Sequence, residues 1–75
     1  MKEKLLNILE EIRPEIDFKR ETNFVTNGML DSLDIITIIA KICDEFEIQI
    51  GFDQIKPENF NSVNSMLEMI LRYKK

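Results

Sequence analysis

The run NGMLDSLDIITIIAKICDEF, Asn27 to Phe46, decides how the rest of the chain is read. A glycine and the pair Asp31-Ser32 precede a segment rich in isoleucine. Isoleucine is only a middling helix former, so the segment alone could pass for a strand. Its spacing points to a helix. Ile35, Ile38, Ile39, Ile42 and Phe46 fall at offsets 0, 3, 4, 7 and 11, which is one face of an α-helix. Asp31 or Ser32 can cap the start, and Asp34 places negative charge in the first turn, where the helix dipole favours it.

Two further helices flank this one. Leu5, Ile8, Leu9 and Ile12 repeat the helical spacing, and Pro14 ends the segment because the residue before a proline is pushed out of the α region. Residues 14 to 31 show no sustained periodicity and contain the loop formers Asp17, Asn23, Thr26, Asn27 and Gly28. A loop this long is usually functional or pinned by its own apolar residues. Ile16, Phe18, Phe24 and Val25 are the expected pins.

Beyond Phe46, Ile48 and Ile50 alternate with polar residues. An extended connector is expected there rather than a paired strand, since nothing else in the chain offers a partner. Gly51 marks a turn. Pro57-Glu58-Asn59-Phe60 predicts one short helical turn, with Pro57 suited to its first position. Asn61 or Ser62 caps a last helix whose Val63, Met66, Leu67 and Ile70 repeat the apolar pattern. Arg72, Lys74 and Lys75 stand at its C-terminal end, where the dipole favours cations. The chain is therefore expected to be all-α, a small bundle of three main helices plus one short helix. Its 75 residues suit a single domain spanning 1–75.

Composition removes several function classes. There is one cysteine, Cys43, and no histidine. An intrachain disulfide is ruled out, and zinc sites of the usual Cys/His kinds have no ligands. No histidine is available as a base beside a serine or cysteine nucleophile. The only glycines are Gly28 and Gly51, so no phosphate-cradling loop exists. Cys43, Met66 and Met69 fit core packing. With 10 basic against 14 acidic residues the net charge is -4, which disfavours nucleic acid. An acidic chain of this kind suits basic patches on protein partners. No apolar run approaches the ~20 residues of a membrane span, and the acidic N-terminal segment is unlike a signal peptide. A cytoplasmic monomer is expected.

The isoleucine helix carries more apolar residues than one core stripe uses. Leu33, Ile36 and Ala40 lie on a second stripe, rotated away from the first. Exposed apolar patches often mark partner or ligand sites, and Asp34, Thr37, Lys41 and Asp44 would border this one. It begins beside Ser32. A phosphate attached to that serine would lie at the positive end of the helix dipole, near free backbone N–H groups.

Gly28-Met29-Leu30-Asp31-Ser32-Leu33-Asp34 resembles the attachment motif of acyl carrier proteins, centred on Asp-Ser-Leu. The resemblance extends over almost the whole chain. Glu45–Ile50 is similar to the family's second-helix exit, and Asn59–Ile70 to its third and fourth helices. The resemblance implies that Ser32 carries a covalent 4'-phosphopantetheine arm. A phosphopantetheinyl transferase would install it from coenzyme A with a divalent metal. The arm's thiol would hold an acyl or aminoacyl cargo as a thioester, loaded by a ligase and delivered to acyltransferase or synthase enzymes. Asp31 matches the acidic residue that helps present the serine to the transferase. Leu33, Asp34, Ile36, Thr37 and Ala40 match positions that meet partner enzymes or shelter the cargo.

The implied protein is a carrier, not an enzyme, because the arm supplies the reactive thiol. Unlike the fatty-acid type, this helix has no acid between Asp34 and Asp44, so docking would lean on apolar contact. The GMLDSL form looks closer to D-alanyl carriers and to stand-alone carriers of peptide or polyketide pathways, and lipid and secondary-metabolite biosynthesis both stay open. The alternative is a helical protein-interaction module in which Ser32 is only a cap.

Overall fold

A computed structural model describes residues 1–73, leaving aside the Phe52 side chain. Helix α1 spans Lys2–Ile12, α2 Ser32–Phe46, α3 Pro57–Phe60 and α4 Val63–Tyr73, with a 3-10 turn at Phe52–Gln54 before α3. No strand occurs among the described residues, and the connector through Ile48 and Ile50 has no regular secondary structure and no strand pairing. The expected all-α bundle of three main helices and one short helix is the observed architecture. Helix α1 packs against both α2 and α4, and α3 packs against α4. No helix among the described residues is long and apolar enough to cross a membrane.

The apolar stripes meet in one core. Leu5, Ile8 and Leu9 of α1, Ile35, Ile38, Ile42 and Phe46 of α2, Phe60 of α3, and Val63, Met66, Met69 and Ile70 of α4 are all buried. Ile39 and Leu67 sit half-buried at its edge. Leu6 is buried as well, so the inward face of α1 is wider than its periodic positions suggested. Met66 and Met69 fill the core, and Cys43 is half-buried.

The long loop between α1 and α2 is pinned by its own residues. Phe18 and Phe24 are buried and meet edge to face with ring centroids 5.0 Å apart. Ile16 and Val25 pack less deeply. Leu30, just before α2, is also buried and acts as a further anchor. The Phe24 carbonyl accepts hydrogen bonds from the Met29 N–H at 2.8 Å and the Leu30 N–H at 3.0 Å, so the chain doubles back before entering α2. Gly28 takes φ 76 inside that turn, a value that favours glycine.

Asn61 does more than stand near a helix start. Its side-chain Oδ1 accepts from the Val25 and Thr26 N–H groups at 3.0 and 3.1 Å. Its backbone carbonyl accepts from the Phe24 N–H at 3.0 Å. It therefore closes the long loop onto the α3–α4 junction, and the cap of α4 falls to Ser62, whose Oγ accepts from the Ser65 N–H at 3.0 Å. At the other end of α4, Arg72 donates to Gln54 Oε1 and Asn59 Oδ1. The Tyr73 hydroxyl accepts from the Gly51 N–H at 3.2 Å. The expected cations Lys74 and Lys75 lie outside the described residues. Helix α2 ends in a left-handed residue, Glu47, at φ 54, whose N–H bonds the Cys43 carbonyl.

Candidate functional site

The four helix starts differ in what holds them. Met1 and Lys56, before α1 and α3, provide no side-chain cap. Ser62 provides one hydroxyl. Helix α2 has a reciprocal capping box, in which Asp31 Oδ1 accepts from the Asp34 N–H at 2.9 Å and Asp34 Oδ2 accepts from the Asp31 N–H at 3.2 Å. Two of the four orphan N–H donors around this helix start are thereby satisfied within four residues.

That arrangement assigns the two candidates different parts. Asp31 is the cap, in extended backbone at φ -102, and Ser32 is the first helical residue. The Ser32 side chain is exposed. Among the described residues its hydroxyl has no hydrogen-bond partner, and neither do the N–H groups of Ser32 and Leu33. The idea that Ser32 serves only as the cap fails on this point, because Asp31 fills that place. A free hydroxyl beside two free N–H groups at a helix N-terminus suits a phosphodiester.

Asp34, expected among the docking residues, is directed to another task. Its side chain is 15% exposed and pairs with Arg13, Nη2 to Oδ2 at 2.8 Å. Arg13 Nε also donates to the same oxygen at 3.0 Å. The hydrogen bond from Arg13 lowers the Asp34 pKa below the ordinary carboxylate range, assisted by the Asp31 N–H and opposed by burial. The same contact, with a further hydrogen bond to Glu15, raises Arg13 above its already high ordinary value. Arg13 escaped the sequence reading because no period relates it to Asp34, 21 residues away. Its place just before Pro14, at the end of a helix, was the only available sign.

The remaining expected docking residues form one outward strip. Leu33 is 73% exposed and Ile36 60%, and Thr37 and Ala40 are exposed beside them. The Thr37 hydroxyl donates to the Leu33 carbonyl at 2.9 Å, so its polar group is occupied within the helix. The strip starts one residue after Ser32 and runs along α2 for two turns. Lys41 is drawn off its border by Glu11 at 3.5 Å, while Asp44 stays exposed. Among the described residues no group of three or more His, Cys, Asp or Glu side chains is placed to hold a metal ion.

The profile of the family described as "Phosphopantetheine attachment site" matches residues 3–70. No solved structure matches the chain. The family match takes in all of α2 with its capping box, all of α3, and all but the ends of α1 and α4. The chain belongs to the phosphopantetheine attachment site family and is a carrier whose cofactor is covalently attached 4'-phosphopantetheine.

Proposed function

We propose that Ser32 is the attachment point and that the chain is an acyl or aminoacyl carrier without catalytic chemistry of its own. One observation supports the residue choice above others. The Ser32 hydroxyl is exposed on the first turn of α2, while the neighbouring Asp31 takes over the capping that would otherwise occupy it. When bound, the arm supplies a thiol that holds cargo as a thioester. Ser32 tethers the arm, and the N–H groups of Ser32 and Leu33 face its phosphate with the positive end of the helix. Asp31 keeps its second carboxylate oxygen for the phosphopantetheinyl transferase that uses coenzyme A.

Leu33, Ile36, Thr37 and Ala40 receive the loading ligase and the downstream acyltransferase or synthase. With Lys41 the only charge between Asp34 and Asp44, that docking rests on apolar contact. Residues 1–75 act as one carrier unit, monomeric and cytoplasmic, where coenzyme A is available to the transferase.

Incubation with a broad-specificity transferase, coenzyme A and magnesium should raise the mass of the chain by one phosphopantetheine. Ser32→Ala should keep the helical circular dichroism and gain nothing. A folded wild-type chain left unmodified, or a Ser32→Ala chain still modified, would overturn the assignment. Ile36→Asp should leave arm attachment intact but slow loading by the ligase, and equal loading rates would remove the docking role.

A further inference from the structure

Among the described residues the Ser32 hydroxyl makes no hydrogen bond, so its direction is inherited from its neighbours. Asp31 is held twice by Asp34, through its N–H and through its carboxylate. Asp34 Oδ2 in turn accepts two hydrogen bonds, from Asp31 N at 3.2 Å and Arg13 Nε at 3.0 Å, and Arg13 Nη2 stands beside it as an ion pair at 2.8 Å. Arg13 is itself fixed. Its backbone N–H donates to the Leu9 carbonyl at 2.9 Å, closing α1, and its Nη1 reaches Glu15 Oε2 at 2.9 Å. One guanidinium thus ties the end of α1 to the turn that enters α2.

We propose that Arg13 is a positioning residue for modification at Ser32, acting by gripping Asp34 so that the Asp31-Ser32 turn keeps one orientation. This rests on Ser32 being the attachment point. The guanidinium suits the task because its flat fork donates to Asp34 through Nε and to Glu15 through Nη1 while Nη2 adds charge beside the Asp34 carboxylate, which an ammonium does with less geometric control. Without it, Asp34 keeps its N–H bond to Asp31, but its carboxylate is released to turn toward water. The Asp31 N–H then loses a fixed acceptor, and the hydroxyl of the next residue samples a wider range of directions. Misplacement of a reacting group by even about 1 Å can cost up to about a hundredfold in rate. A loosened turn that still visits the right orientation should cost less.

The test measures arm transfer to purified, folded chain by a transferase at saturating coenzyme A, well below the melting temperature of each variant. Arg13→Gln should lower kcat about tenfold with the KM for the carrier changed less than about twofold. Arg13→Lys should recover part of the loss. Combining Arg13→Gln with Asp34→Asn should cost no more than the worse single variant, because both break one device. Amide exchange of the Asp31 N–H should quicken in Arg13→Gln before any arm is attached.

An unchanged kcat in folded Arg13→Gln overturns the positioning role while leaving attachment at Ser32 standing. A raised KM at constant kcat also overturns it, since Arg13 would then be a docking contact. A wild-type chain that accepts no arm overturns the attachment reading, and this inference with it.

Discussion

Helix α2 meets its neighbours in two contrasting ways. Toward α1 it is laced by charge along its whole length. Arg13 grips Asp34 near its start, Glu11 meets Lys41 in its middle, and Lys4 reaches both the Glu45 carboxylate and carbonyl near its end. The Lys4 ammonium also stands 5.3 Å from the centre of the Phe46 ring. These pairs descend one helix as they climb the other, which is the order of an antiparallel pair. Toward α3 and α4, no hydrogen bond or ion pair from α2 is found among the described residues, and the shared core of Ile38, Ile42, Phe60 and Met66 does the joining. Charge fixes the register of α2 on α1, while apolar burial supplies most of the energy. Among the described residues, the serine lies beside the most shielded of these three ion pairs, the one that also holds a backbone turn.

The comparison breaks first at the apolar side. Ile38→Ala removes a fully buried side chain and should cost about 3 kcal/mol, within the usual range for such cavities. A chain this short has roughly 4–11 kcal/mol in total, so urea unfolding should show a large fall in midpoint. A cost under about 1 kcal/mol would mean that the core closes up around the gap.

The next effect belongs to the shielded pair. Asp34→Ala removes half of the capping box and the partner of Arg13, and should cost about 1–2 kcal/mol in the same assay. The pair also has a pH signature. The Asp34 pKa is lower in the folded chain than its ordinary value of 3.8, so its contribution is fully present above that value. It is lost as the pH falls below 3.8 and through the lower folded value. Stability should therefore fall more steeply on acidification in the wild-type chain than in Asp34→Asn, and parallel curves would remove Asp34 from the acid response.

The smallest effect is expected at the exposed pair. Lys41→Ala breaks a contact whose side chains are 46% and 68% exposed, and should change stability by no more than about 0.5 kcal/mol. Roughly 1 M salt should erase even that difference, because screening then acts over about 3 Å. A larger, salt-resistant loss would show that the charged seam contributes more than register.

The same contrast explains what could be read from the residues alone. The inward stripes of all three long helices, the short helix at Pro57 and the exposed strip of Leu33 and Ile36 follow from spacing, because a helix repeats its faces every 3.6 residues. The Asp-Ser-Leu motif and its position between two such patterns made the family legible. Long-range polar contacts have no period. Arg13 with Asp34 and Asn61 with Thr26 join positions 21 and 35 residues apart, and either asparagine or arginine would look the same on an open surface. Asn61 was legible only as a candidate cap, since a short polar side chain before an apolar helix has that as its commonest use. Glu47 gave no sign of its left-handed backbone, which is usually marked by glycine or asparagine.

Asn61 has a consequence for the order in which the chain is made. Synthesis runs from the N-terminus, and the long loop emerges well before the residue that closes it. Until Asn61 leaves the ribosome, the Phe24, Val25 and Thr26 N–H groups lack the partners they have in the finished fold. The serine would thus be exposed on nascent chain before its surroundings are complete, and would reach its final setting only when the second half of the molecule arrives. Chains arrested before residue 61 should accept the arm more slowly than released chains, and equal rates would show that the loop is shaped without its distant clasp.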